Sequence, residues 1–320
     1  MRLQSFINSD LPFDLIKKAF SIDDASSFNL RKAKESFKTI NDSLFVPYSF
    51  KPFENKYLYY SGIFVDRLGD KVNGNMRNEN LSLILKKRNT ESEYKSAFVT
   101  NNVADLNFLG GQSYVFPLWI YEAEVGLFGA SKKSNINLKF EKLLETTYKQ
   151  KNLTESIFYY IYAFLNCSIY RETFAEQLQI DYPKIPFTNN FDLFKKVSEI
   201  GKSLTEFHLL TSKDLSSPFI KYNGKGNSKV TDINYIEASG ELYINENQFF
   251  SGVSKEIWEF EVGKNKPVQR WIKNLKDKEL DLNQTIEFSK ICYAIGLTFD
   301  KQKEIDKLYE QIMTNLIIIE

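Results

Sequence analysis

The sequence predicts an α+β protein in which helical blocks alternate with small mixed sheets. In the first forty residues, in 138–211 and in the last sixty, apolar residues recur three or four apart, the spacing of a helix face. Between those blocks stand short aromatic and β-branched runs punctuated by Gly, Asn and Asp. Blocks of this kind argue against a doubly wound sheet.

Taken in order, Leu11 to Phe20 and Asn29 to Ile40 carry the helical spacing. Strand-like runs follow at Leu44–Val46, Tyr57–Tyr60, Leu81–Leu85, Ala97–Thr100 and Tyr114–Tyr121, and Gly126 to Asn137 reads as a loop. Thr154 looks like the N-cap of a helix over Glu155 to Tyr170, with Phe158, Ile161, Tyr162 and Leu165 on one stripe. The prolines of Asp181-Tyr182-Pro183-Lys184-Ile185-Pro186 forbid continuation into the next helix, Asp192 to Leu210. Strand texture returns at Lys229 to Ala238 and Glu241 to Asn245, then helices from Val268 to Leu275 and from about Gln284 onward. We divide the chain into a helical coupling segment (1–43), a β-rich recognition subdomain (44–137) and a helical and mixed subdomain (138–320) that completes the recognition domain.

Composition narrows the function. The 320 residues hold 42 basic and 41 acidic side chains, a formal net charge of +1, so the chain does not advertise nucleic-acid binding globally. Local clusters can still attract phosphate, because attraction acts over a Debye length of roughly 8 Å. The 27 Phe and 18 Tyr exclude disorder as the dominant state. Two cysteines, Cys167 and Cys292, exclude a disulfide scaffold, and with one histidine they cannot build an ordinary zinc site. No apolar run has signal-peptide or membrane-spanning length, which makes the cytoplasm the expected location.

Enzyme motifs are mostly missing. Gly224-Lys225-Gly226 lacks the third glycine of a dinucleotide loop, and no phosphate loop or nucleophile elbow occurs. His208 and Cys167 read as packing residues. The tripeptides Glu54–Lys56 and Glu93–Lys95 could serve a Mg²⁺-dependent nuclease, an alternative that residue types leave open.

Two stretches fit nucleic acid. The segment from Asp66 to Arg88 holds six basic residues (67, 71, 77, 86, 87 and 88) against three acidic ones (66, 70 and 79). It interleaves them with Asn73, Asn75, Asn78 and Asn80. Arg matches guanine O6 and N7, and Asn matches adenine N6 and N7, so Arg67, Asn73, Asn75, Arg77, Asn78 and Asn80 are candidate base readers. Lys71, Lys86, Lys87 and Arg88 are candidate phosphate contacts. The flexible, acid-free loop Lys221 to Lys229 adds Lys221, Lys225 and Lys229 to that set. The bland reading of both stretches is a solvated surface turn.

A series of landmarks stands in fixed order along the chain. It begins with Tyr48-Ser49-Phe50-Lys51-Pro52-Phe53-Glu54, Arg67, Glu79-Asn80-Leu81, Phe98-Val99-Thr100 and Phe116-Pro117-Leu118-Trp119-Ile120-Tyr121. It continues through Phe158 to Arg171, Tyr182-Pro183-Lys184-Ile185-Pro186, Gly201 to His208, Trp258-Glu259-Phe260 and Arg270-Trp271-Ile272-Lys273. From about 44 to 310 this resembles the C-terminal specificity region of Type ISP and Type IIG restriction–modification enzymes. In those enzymes a nuclease and a gamma-class adenine methyltransferase precede the target-recognition domain. Lys51-Pro52-Phe53-Glu54 departs from the family's Arg-Pro-Phe-Asp, Lys184 from its Pro-Arg-Ile-Pro, and Asn166-Cys167 replaces an expected histidine. No Asn-Pro-Pro-Tyr methyltransferase motif is present.

The resemblance implies sequence-specific recognition of double-stranded DNA without catalysis in this chain. S-adenosylmethionine and Mg²⁺ would belong to a methyltransferase/endonuclease domain in cis or on a partner subunit. The segment before residue 44 would couple to the methyltransferase. A subunit that binds only protein is the remaining alternative.

Overall fold

The computed structural model describes residues 5–6, 8–24, 28–91, 93–122 and 131–318. Helix α1 (Phe13–Phe20) closes on Ser21 in the left-handed region, and Asn29 caps α2 (Leu30–Ser36) by accepting from the Lys32 amide. Ile16 and Leu30 pack with Phe6 in a small core that Phe64 joins, which ties this segment to the neighbouring sheet region.

Strands β1 (Phe45–Lys51) and β2 (Glu54–Tyr59) form an antiparallel hairpin, turned at Phe53 with φ 61°. A short helix, α3 (Asp70–Asn73), runs on as a 3₁₀ turn over Gly74–Arg77. Strand β3 (Ser82–Leu85) lies between β4 (Ala97–Thr100) and, later, β6 (Tyr114–Pro117). Between those two, β5 (Val103–Ala104) adds to β1 in parallel. The run expected as one strand over Tyr114–Tyr121 breaks at Leu118. Beyond it β7 (Trp119–Tyr121) pairs with β8 (Lys132–Ser134) instead. Part of the loop expected at Gly126 to Asn137 lies outside the described residues.

The helical block comprises α4 (Leu138–Tyr148), α5 (Thr154–Asn166), α6 (Ser168–Thr173), α7 (Ala175–Ile180) and α8 (Phe191–His208). The helix expected as far as Tyr170 stops at Asn166. Cys167 is extended, and the Asp306 carboxylate accepts from the amides of Ser168 (2.7 Å) and Ile169 (3.3 Å) to start α6. Helices α5 and α8 touch backbone to side at Gly201, where a Cβ would fall 1.8 Å from the Tyr159 carbonyl. Only glycine permits that approach.

The remaining strands, β9 (Lys221–Asn223), β10 (Asn234–Ile236), β11 (Glu241–Tyr243) and β12 (Phe249–Ser251), make an antiparallel sheet in the order β10-β11-β12-β9. Helices α9 (Lys255–Glu259), α10 (Pro267–Lys273), α11 (Leu282–Asp306) and α12 (Tyr309–Met313) close the chain, α11 opening on a reciprocal Asp281–Gln284 capping box.

All of β3 and β4 is buried, because each face supplies a different core. Leu83, Leu85, Ala97 and Val99 join the helical core around α5 and α8. Ile84 and Phe98 point to the opposite side, into the core of Phe207, Phe250 and Phe288. The central sheet is thus a shared wall, and residues 44–137 have much of their core in common with the helices and strands after residue 138. Among the described residues no helix is long and apolar enough to cross a membrane.

Candidate nucleic-acid interface

The basic and asparagine-rich segment is neither a loose loop nor uniformly exposed. Two asparagines seat it. Asn75 Oδ1 accepts from the Tyr121 amide (2.8 Å), and its Nδ2 donates to the carbonyls of Lys71 and Val72 (3.0 and 3.2 Å). Asn80 Nδ2 donates to the carbonyls of Trp119 (2.7 Å) and Asn75 (3.2 Å), while its Oδ1 accepts from the amides of Leu81 (2.9 Å) and Trp119 (3.0 Å). Both residues are buried. Their amides are therefore committed to this chain's backbone, and the expectation that Asn75 and Asn80 read bases is corrected: they fasten the α3 turn to β7.

Lys86 is corrected likewise. It is 6% exposed, with Nζ 3.7 Å from Glu91 Oε1. Burial pulls its pKa below the usual lysine value, against the attraction of Glu91. Asn73 is half-buried; its Nδ2 donates to the Leu68 carbonyl, and its buried Oδ1 has no hydrogen-bond partner.

What the seated turn leaves outside is a cationic edge. Arg67, Lys71, Arg77, Asn78, Lys87 and Arg88 are all exposed. Arg67 occupies the left-handed region at φ 55°, and the Arg77 guanidinium lies 5.3 Å over the Tyr60 ring. Tyr60 in turn donates to Asp70 at the start of α3 (3.1 Å). Beside this edge runs a groove of about 610 Å³ walled by Tyr48, Tyr60, Arg67, Lys71 and Tyr114. Tyr48 donates to the Asp105 carboxylate across it, a bond that, after burial, raises the pKa of the phenol.

The lysine loop belongs to the C-terminal sheet. Lys221 and Lys225 are exposed and Lys229 is half-buried. The expected flexibility is not what holds here. Buried Gln248 accepts from the Ser228 amide (2.8 Å), and the Asn245 side chain donates to the Lys229 carbonyl (2.9 Å). Gly224, at φ 93°, lets the Asn247 carbonyl come within 2.0 Å of where a Cβ would sit.

The nuclease candidates are not gathered into one site. Glu54 Oε2 accepts from Arg270 (2.9 Å) and Oε1 lies 3.1 Å from Lys56. Burial raises its pKa, but these two cations hold it below the usual carboxylate value. Glu93 pairs instead with Lys95 (2.8 Å). Among the described residues no group of three or more His, Cys, Asp or Glu is placed to hold a metal. His208 is buried between Tyr162, which donates to Nδ1, and Thr298 Oγ1 (3.0 Å), and it stacks on Phe98 at 4.9 Å. Burial pushes the Cys167 thiol up to about 12, so it is an unreactive packing group.

Residue types alone missed two contributors to this face. Tyr114 lines both the groove and an adjoining basic pocket, and Lys264 reaches that pocket from the turn after α9. Neither stands near the 66–88 segment in sequence, so no local signal was available.

Known proteins share this architecture. The family model described as the Type ISP C-terminal specificity domain matches residues 2–307. Among curated proteins none matches the chain. Of the solved structures, "ATP-dependent Type ISP restriction-modification enzyme LlaBIII bound to DNA" superposes with a TM-score of 0.70 at 19% identity, over 95% of this chain and 21% of that one. A nuclease-deletion mutant of the Type ISP restriction-modification enzyme LlaGI, in complex with a DNA substrate mimic, gives 0.62 at 19% identity, over 91% of this chain and 27% of that one. The DrdV–DNA complex gives 0.70 at 17% identity, over 95% and 32%. At these identities the likeness is one of fold, and the chain spans about a fifth to a third of those proteins' length. Helical blocks around small sheets, and a family match over almost the whole sequence, agree: the chain belongs to the Type ISP C-terminal specificity domain family.

Proposed function

We propose that this chain is a target-recognition module that binds a short sequence of double-stranded DNA for a restriction–modification enzyme. The observation that carries the reading is the way Asn75 and Asn80 seat the 70–78 turn so that its Lys71 and Arg77 stay exposed, with Arg67 just before it. A reader of base edges needs donors on a rigid support, because ordering a floppy loop on DNA costs binding energy. Arg67, whose Nε lies 3.9 Å from Asp66 Oδ2, Arg77 and Asn78 are the exposed groups whose chemistry suits base edges in a major groove. Lys71, Lys87 and Arg88 flank them, with Lys221 and Lys225 as a second set, in positions suited to phosphate.

On this reading the module has no catalysis of its own. Methyl transfer from S-adenosylmethionine and Mg²⁺-dependent cleavage would belong to methyltransferase and endonuclease domains in cis or on a partner, acting in the cytoplasm. The full-length relatives being several times longer supports that arrangement. The helices before residue 44 would couple to the methyltransferase.

The test is duplex binding by fluorescence anisotropy, with Arg67→Ala and Arg77→Ala beside the parent chain. Each arginine is expected to cost about 1–3 kcal/mol against the preferred duplex, and much less against unrelated ones. Equal losses on every duplex would make these arginines phosphate contacts, and the base-reading assignment would fail.

A further inference from the structure

Where β3 ends, a second concavity of about 460 Å³ opens. Lys86, Lys87 and Arg88 form one wall, and Gly110, Gly111 and Lys264 the other. The Lys264 backbone is fixed there by hydrogen bonds. The Lys264 amide donates to the Leu109 carbonyl (3.0 Å), the neighbouring Gly263 amide donates to the Lys95 carbonyl (2.7 Å), and Val262 and Asn265 close the turn. Gly110, at φ 74°, admits the lysine: a Cβ there would lie 2.7 Å from the Lys264 Cβ. Below the floor, Glu91 Oε1 lies 3.7 Å from Lys86 Nζ and 3.4 Å from Lys264 Nζ.

The charges do not cancel. Four cations face one carboxylate, which pairs with both Lys86 and Lys264, so the pocket keeps a net positive charge, with Lys87, Arg88 and Lys264 exposed. The Lys264 side chain is 55% exposed even with its Glu91 contact. Among the described residues, the N–H groups of Gly111 and Gln112 donate to no other group of the chain. Convergent cations beside free backbone amides on glycine are a surface for an oxyanion. Tyr114 joins this pocket to the groove beside Arg67, so a ligand filling it continues toward the outward arginines.

We propose that this pocket grips one backbone phosphate of the bound duplex, with Lys264 as its third cation. The proposal rests on the DNA-recognition reading and adds to it a contact from a remote part of the chain. A phosphate held here would fix the register of the duplex against the 66–78 turn and read no base itself.

The test compares the full chain with Lys264→Met, which keeps the aliphatic stem over Gly110 and removes the charge. Lys195→Met, on the exposed face of α8, loses the same charge elsewhere. Binding to a labelled random-sequence duplex is followed between roughly 50 and 200 mM salt. Lys264→Met should weaken binding to all sequences alike and make the log–log salt slope shallower by about one, while Lys195→Met leaves it unchanged. An unchanged slope in Lys264→Met, or an equal change in Lys195→Met, overturns the pocket while the DNA reading stands. Absence of binding by the parent chain at the lowest salt overturns both.

Discussion

Asn80→Ala should destabilise the protein by about 3 kcal/mol and abolish duplex binding before it abolishes folding. The side chain serves four backbone groups at once: the carbonyls of Asn75 and Trp119 and the amides of Leu81 and Trp119. Truncation leaves them in a site from which water is largely excluded, and each buried unpaired polar group costs about 1–3 kcal/mol unless it relaxes to a new partner. What lies above the break is the α3 turn, which carries Lys71 and Arg77. That turn would keep the Asn75–Tyr121 bond and lose the anchor at its C-terminal end. Asn80→Asp retains the acceptor for both amides but sets a buried carboxylate oxygen against the Asn75 and Trp119 carbonyls, and should destabilise at neutral pH at least as much as Asn80→Ala. Chemical denaturation and duplex binding on the three proteins check this. An Asn80→Ala chain of parental stability and affinity would show that the turn is seated by something else.

Acidification from pH 7 to pH 5 should cost about 2 kcal/mol of folding stability through His208. The Thr298 hydroxyl donates to the Ala294 carbonyl, so toward His208 it accepts, and Nε2 carries the proton. Nδ1 is then the acceptor for the Tyr162 hydroxyl, a pattern that a neutral ring completes. Burial, with Arg171 nearby, pulls the ring's pKa down to about 3 from an ordinary 6.5. The folded pKa is depressed, so between 6.5 and 3 the unfolded chain binds the extra proton and stability falls as pH falls. Above 6.5 the ring is neutral in both states and contributes no pH dependence. This is the chain's single histidine; carboxylates such as Glu54, held below their usual values, begin to lose stability only near and below pH 4.5, and Glu287, raised by burial, shifts stability in the opposite direction. Urea midpoints at pH 7, 6 and 5 measure it. A flat profile would mean that the ring is charged or hydrated in the folded protein. His208→Gln should flatten the slope whatever it does to absolute stability.

Much of the fold was legible because its signals are local. The alternation of blocks, the β3 and β4 runs, and the helices read from Asp192 and from about Gln284 all rest on residues within a few positions of each other. What escaped was set from a distance. The break after Asn166 depends on Asp306 arriving from the end of α11. The two-residue β5 exists only because β1 offers it an edge.

The candidate interface divides the same way. Charge composition located the segment, and its exposed arginines and lysines stand where a partner could meet them. Residue type could not separate Asn78, which faces out, from Asn75 and Asn80, which face in, since one amide offers the same donors and acceptors to a base edge and to a peptide. A hint was present: Asn75 precedes Met76, and Asn80 precedes the apolar run Leu81–Leu85, both on their way into the core.

The most direct test is to incubate the purified chain with a pool of random duplexes at roughly 50 and 200 mM salt, recover what binds, and sequence it. Enrichment of one short motif, lost with Arg77→Ala, is the result expected of a module that reads bases from a preformed edge. Salt-sensitive binding with no enriched motif, or no binding at all, would contradict it.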